Sequence, residues 1–304
     1  MSEFKQRLQG IRKTEEERLD NTLIKRNLEQ IWKERGRENK RDKEIYQKFR
    51  EIAKKGEEEN NNRFRLKYVE ELGLKWNILI VLGKKNIGKT YQIHRLIDEC
   101  IAEKRWIVLV RASAKECKTA LEPLMNEERS RVRVKYATNN TFDLVIKETT
   151  DEQILKRPKK VGFCCSISTL TSYQGASYDK IKYIIWDECI SDGGAIKLKA
   201  SDIDSFERFV SSIVRDKKDV KTIIFGNLLQ KVSGMIGDPL LQHYGINPDC
   251  GCKYIEAKQS HEASVLFLNT KEMFQGIESQ GVIGGVNSLA VSYTHLRAHE
   301  TKAN

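Results

Sequence analysis

The octapeptide Gly83-Lys84-Lys85-Asn86-Ile87-Gly88-Lys89-Thr90 has the G-x-x-x-x-G-K-[ST] spacing of a phosphate-binding loop. Each position has a chemical task in such a loop. Gly83 and Gly88 let the backbone turn and approach phosphate oxygens, and the backbone N–H groups of Lys85, Asn86 and Ile87 surround the polyphosphate. Lys89 reaches the β- and γ-phosphates, and the Thr90 hydroxyl is suited to ligate Mg2+. A second constellation stands about 100 residues later, where Ile184-Ile185-Trp186-Asp187-Glu188 reads as an apolar strand ending in two acids. Asp187 would hold Mg2+, directly or through water, and Glu188 would polarise an attacking water. Together the two motifs specify nucleotide hydrolysis. A Glu directly after the magnesium Asp points to the ATP-hydrolysing branch with an added central strand, and no Asn-Lys-x-Asp guanine signature occurs.

Two further residues are candidates. Phosphoryl transfer needs positive charge at its transition state. Arg215, at the end of a helix, could supply it to a neighbouring subunit's nucleotide, although a cation there is also what the helix dipole favours. Asn227 closes a strand at the same sheet edge as Asp187, where its amide could sense a γ-phosphate; a plain turn asparagine is the alternative.

Such residues need strands that feed loops. The apolar run 76–82 leads into the phosphate loop, and 91–102 follows it with Ile93, Leu96, Ile97 and Ile101 at helical spacing. Strands are expected at 106–112, 181–186 and 220–226, and helices at 113–127 and 206–214. The β-rich segments 132–137, 142–147 and 161–168 read as a meander or as strands inserted in the sheet. This alternation predicts an α/β fold with a mostly parallel central sheet flanked by helices, a P-loop NTPase of the additional-strand, catalytic-glutamate (ASCE) type.

Residues 1–73 are rich in Lys, Arg, Glu and Asp and carry narrow apolar stripes such as Ile45, Phe49 and Ile52. They read as a charged helical N-terminal arm, punctuated by Gly10, Gly36 and Gly56 and ending in a solvated linker at 57–62. Such an arm either docks on a partner subunit or DNA, or folds back on its own domain. The 304-residue chain has a formal charge of +11, which suits a polyanionic partner without requiring one. Seven scattered cysteines read as a reducing compartment, and Cys250-Gly251-Cys252 lacks zinc-knuckle spacing. No apolar run reaches the roughly 18 residues of a membrane span. Residues 291–301 resemble one reading frame of a transposase adapter used in sequencing libraries, so 291–304, with His295 and His299, is set aside. The expected division is an arm and linker at 1–73, an ATPase domain at 74–250 and the start of a linking region at 251–290.

The phosphate loop, Ile107-Val108-Leu109-Val110-Arg111, the loop Ser172-Tyr173-Gln174-Gly175-Ala176-Ser177-Tyr178, Trp186-Asp187-Glu188 and Gly226-Asn227 together resemble the genome-packaging ATPases of small, protein-primed, short-tailed phages, relatives of the terminase large subunits. The similarity covers roughly residues 75–245. It implies an ATP- and Mg2+-dependent ring motor that drives double-stranded DNA into a procapsid at its portal, in the cytoplasm of an infected host. By the same resemblance Arg215 falls on a trans-acting arginine and Asn227 on a coupling motif. Lys85 stands where relatives often have an arginine, and Gln174 where they carry a basic residue. Other ring ATPases, such as a helicase or a filamentous-phage assembly ATPase, and a nucleotide-gated adaptor are the rival readings.

Overall fold

The computed structural model describes residues 39–58, 63–84, 87–117, 130–136, 141–147, 159–173, 178–189, 198–214, 217, 219–227, 238–258, 262–271 and 273–274. Lys85, Asn86, Gln174, Arg215, the arm before residue 39 and the tail lie outside the described residues.

Nine strands form one sheet among the described residues. They are β1 (Ile78–Gly83), β2 (Trp106–Arg111), β3 (Val132–Tyr136), β4 (Phe142–Ile146) and β5 (Lys160–Ser166). The rest are β6 (Ile181–Asp187), β7 (Lys221–Asn227), β8 (Cys252–Ile255) and β9 (Val265–Asn269). Their order is β3-β4-β5-β2-β6-β7-β1-β9-β8. The six strands from β5 to β9 in that order are parallel, and antiparallel β4 and β8 border them.

The central strands are apolar at nearly every position because helices cover both faces. On one face Leu79, Val81, Leu109, Ile185 and Phe225 pack beneath α1 (Lys40–Glu58), α2 (Leu66–Glu70) and α3 (Lys89–Ala102). On the other, Ile80, Leu82, Val108, Trp186 and Phe267 pack beneath α4 (Ala200–Val214) and α5 (Pro239–His243). The fold is therefore mixed α/β with a mostly parallel sheet.

The β-rich segments form the expected meander: β3, β4 and β5 are antiparallel neighbours in chain order, and β5 joins them to the sheet by running parallel to β2. Gly162 permits that contact, since a Cβ there would lie 1.9 Å from the Ile107 carbonyl oxygen. Residues 252–255 and 265–269, inside the expected linking region, form β8 and β9 of the sheet. β9 pairs with β1, the strand of the phosphate loop, from Ile78↔Val265 to Leu82↔Asn269. The reason lies in its sequence: Val265-Leu266-Phe267-Leu268 is buried throughout and completes the apolar sheet. Of the helix expected at 113–127, only the turn Ala114–Glu116, closed by a Ser113–Glu116 capping box, is described beyond Ser113, with Cys117 after it.

The described part of the arm folds back. α1 buries Phe49 and Ala53 against the domain and reaches Glu58, so the first two residues of the expected linker are helical. Gly56 lies inside this helix, where it leaves room for the Tyr68 ring. Asp42, fully buried, caps α1 with Asn39, accepts from the Tyr254 N–H at 2.9 Å and pairs with Lys253.

Candidate active site

Parallel strands place their C-terminal ends along one edge, where connecting loops leave room for a ligand. In register at that edge are Gly83 of β1 and Asn227 of β7, with Asp187 of β6 and Arg111 of β2 beyond them. β7 therefore lies between the strand that enters the phosphate loop and the strand that carries the acids.

The loop turns at Gly88, whose φ of +97° is left-handed and costs glycine little. Gly83 serves a steric need instead: a Cβ there would meet Thr270 Oγ1 at 2.2 Å and Ile87 Cδ1 at 2.5 Å. Beneath it, Thr270 donates its N–H and hydroxyl to the Leu82 carbonyl at 2.7 and 2.9 Å, binding β1 to the chain after β9. From above, the Phe64 N–H donates to the Ile87 carbonyl at 2.7 Å, and the Gln92 side chain bridges Phe64 O and Leu66 N. The segment before α2 thus straps the loop to α3.

Lys89 and Thr90 begin α3, and Gly88 provides no side-chain cap. The first-turn N–H groups consequently remain open to an anion. Lys89 is buried, and its ammonium donates to the Gly83 and Lys84 carbonyls at 3.0 and 2.6 Å. Burial pulls its pKa down to about 8, against the opposing pull of Asp187, Cys189 and Glu188.

The acids are held by a residue to which sequence reasoning assigned no role. Arg111, 3% exposed, donates one nitrogen to Asp187 Oδ2 at 2.5 Å and another to Glu188 Oε2 at 2.7 Å. Burial alone would weaken its charge, but the two carboxylates outweigh that and raise its pKa. Burial pushes the Asp187 carboxyl up, and Arg111 and Lys89 offset this only in part. The signal was present in Trp106-Ile107-Val108-Leu109-Val110-Arg111: a cation closing an apolar, buried strand requires a counter-ion nearby. Glu188 itself stands half-exposed at a φ of +56°, in a turn fixed by its own N–H to Asp187 Oδ1 and by Cys189 N–H to Phe225 O.

The donor set fits a magnesium polyphosphate. It comprises a lysine held on its own loop, a threonine hydroxyl, a buried carboxylate and an uncapped helix N-terminus. Mg2+ takes few protein ligands besides phosphate oxygens and water, so it needs no dense cage. Among the described residues no group of three or more His, Cys, Asp or Glu could hold a metal ion. All seven cysteines are buried and free, and no described helix is long and apolar enough to cross a membrane.

No protein-family model matches the sequence, and no curated protein matches it. Solved structures do resemble it. The N-terminal domain of the DNA packaging ATPase from bacteriophage phi29 superposes with a TM-score of 0.50 at 14% identity, over 70% of this chain and 97% of that domain. The Phi-28 gp11 DNA packaging motor gives 0.48 at 14% identity over 69% of this chain and 60% of its own length, so this chain spans three-fifths of that protein. The ATPase domain of a Thermus phage large terminase gives 0.32 at 12% identity, over 52% of this chain and 62% of that domain. At 14% identity the phi29 domain shares its fold with this chain, and the two weaker matches add nothing to that.

Proposed function

We propose that the chain is an ATP-hydrolysing motor subunit of the ASCE class that drives double-stranded DNA into a phage procapsid. The observation that carries the reading is the single sheet edge at which a phosphate-binding loop, Asp187 and Glu188 stand together, with β7 between their strands. That order supports the additional-strand class expected from the acid pair. The fold of the phi29 packaging ATPase domain supports the same choice.

In this reading the backbone of 83–88 and the start of α3 hold the phosphates of ATP. Lys89 leaves the Gly83 and Lys84 carbonyls for the phosphate oxygens. Thr90 and Asp187 would hold Mg2+, which when bound neutralises charge on those oxygens. Glu188 orients and polarises the attacking water, and Arg111 keeps both acids aimed at the edge. Arg215 is proposed to complete a neighbouring subunit's site within a homo-oligomeric ring, and Asn227, beside Gly83, to relay phosphate loss to the loop after β7. The ATPase domain is proposed to run from residue 74 through β9, with α1 docked upon it.

The test is hydrolysis by the purified chain with and without duplex DNA. The expected outcome is stimulated turnover above roughly one per second, since unaided switch NTPases are far slower, and loss of nucleotide binding in Lys89→Ala. Turnover indifferent to duplex would remove the motor reading.

A further inference from the structure

We propose that the solvent face of α1 is a duplex-DNA backbone contact, formed by Lys43, Arg50 and Lys54. The inference rests on the motor reading above and names the surface that reading lacks.

Along α1, Lys43, Gln47, Arg50 and Lys54 are spaced i, i+4, i+7, i+11, all exposed, opposite the face that buries Phe49 and Ala53. With a rise of about 1.5 Å per residue, the cations span roughly 16 Å of a straight helix. The flanking cations have other work: Arg41 pairs with Glu256 at 2.7 Å and covers the Tyr254 ring, and Lys48 donates to the Leu72 carbonyl at 3.1 Å. Lys43, Arg50 and Lys54 make no ion pair among the described residues. Their charged groups are therefore collinear and, among the described residues, without an ion-pair partner.

The chemistry favours phosphodiester over protein. Protein interfaces are depleted in Lys at their core and rely on buried aromatic or aliphatic anchors, and this stripe offers none. Nucleic-acid interfaces are polar and strongly basic. A second basic region lies at the opposite sheet edge, but it is mixed in sign: Arg105 pairs with Asp219, Lys217 with Asp179, and Lys182 with Glu99 and Glu103.

The stripe is also tied to the nucleotide edge. Tyr46 of α1 donates its hydroxyl to the Asn269 carbonyl at 3.1 Å, and the next residue, Thr270, holds the Leu82 carbonyl just before Gly83. A shift of the phosphate loop thus has a short bonded route to the helix that would grip DNA.

The test is a salt titration of duplex binding by the whole chain, followed by fluorescence anisotropy between roughly 50 and 200 mM salt. Each lost phosphate contact lowers the slope of log K against log salt by about 0.9, so Lys43→Gln/Arg50→Gln/Lys54→Gln should lower it by about 2.7. Lys43→Arg/Arg50→Lys/Lys54→Arg should keep the wild-type slope, and so should Lys104→Gln/Lys159→Gln/Lys180→Gln at the opposite edge. If the triple glutamine variant melts differently from wild type, single substitutions replace it, each expected to remove about 0.9. An unchanged slope in the glutamine variants, or an equal loss in the opposite-edge variant, overturns the assignment while leaving the motor reading standing. Wild-type duplex binding with altered sedimentation of the glutamine variant also overturns it, in favour of a second copy of the chain on this face. A wild-type chain that binds no duplex overturns both.

Discussion

Lys89 and Arg111 are buried cations with opposite electrostatic circumstances. Lys89 has neutral carbonyls as its hydrogen-bond partners, and its pKa of about 8 lies below the usual lysine value. A polyphosphate demands the charged form. Affinity for an ATP analogue should accordingly fall as pH rises through about 8, roughly tenfold between pH 7 and 9. Calorimetry in buffers of different ionisation enthalpy should detect proton uptake at the upper end, and pH-independent binding would contradict it. Arg111, by contrast, is paired with two acids. Arg111→Leu leaves Asp187 buried without its counter-ion, at a cost of about 3–5 kcal/mol near neutral pH. The sign of the pH dependence follows from burial: an Asp187 pKa raised in the folded state keeps its stability at low pH and loses it as pH rises through that pKa. The deficit measured by urea unfolding should shrink from pH 7 toward about pH 5. The loop and the acid pair were legible in the sequence because their chemistry is local, fixed by spacing within a few residues. Arg111 was not, because its partner Asp187 is 76 positions away and only the sheet brings them together.

At the level of elements, strand existence was readable and strand partnership was not. Apolar runs marked β1, β2, β6 and β7 because both sheet faces are covered and nearly every position is buried. The same periodicity carries no information about neighbours, so for β3, β4 and β5 it leaves a meander and inserted strands equally open. β9 is bound to β1 through Thr270 and Leu82, 188 residues apart, and no local pattern announces such a pairing. Gly162 makes the β5–β2 contact testable. In Gly162→Ala the new methyl meets backbone rather than a movable side chain, so a loss of about 3 kcal/mol is expected in denaturant unfolding. A loss below about 0.5 kcal/mol, typical of surface substitutions, would contradict this strand placement.

At the scale of the molecule, the described part of the N-terminal segment, 39–58 and 63–73, belongs to the structure around the candidate site. Phe64 and Gln92 strap the loop from one side, β9 and Thr270 support it from beneath, and α1 closes over β8 through Asp42. The charged composition of the arm leaves docking on a partner and folding back equally open, since a helix with one buried face and one basic face has the same overall composition as a solvated one. The central claim is that this edge hydrolyses ATP through Glu188, and the most direct measurement compares ATP binding and phosphate release in wild type and Glu188→Gln. The substitution keeps size and hydrogen bonding but removes the base. Bound ATP should persist while phosphate release falls by about 100-fold or more, the usual contribution of a general base. Phosphate release within about threefold of wild type would contradict the account.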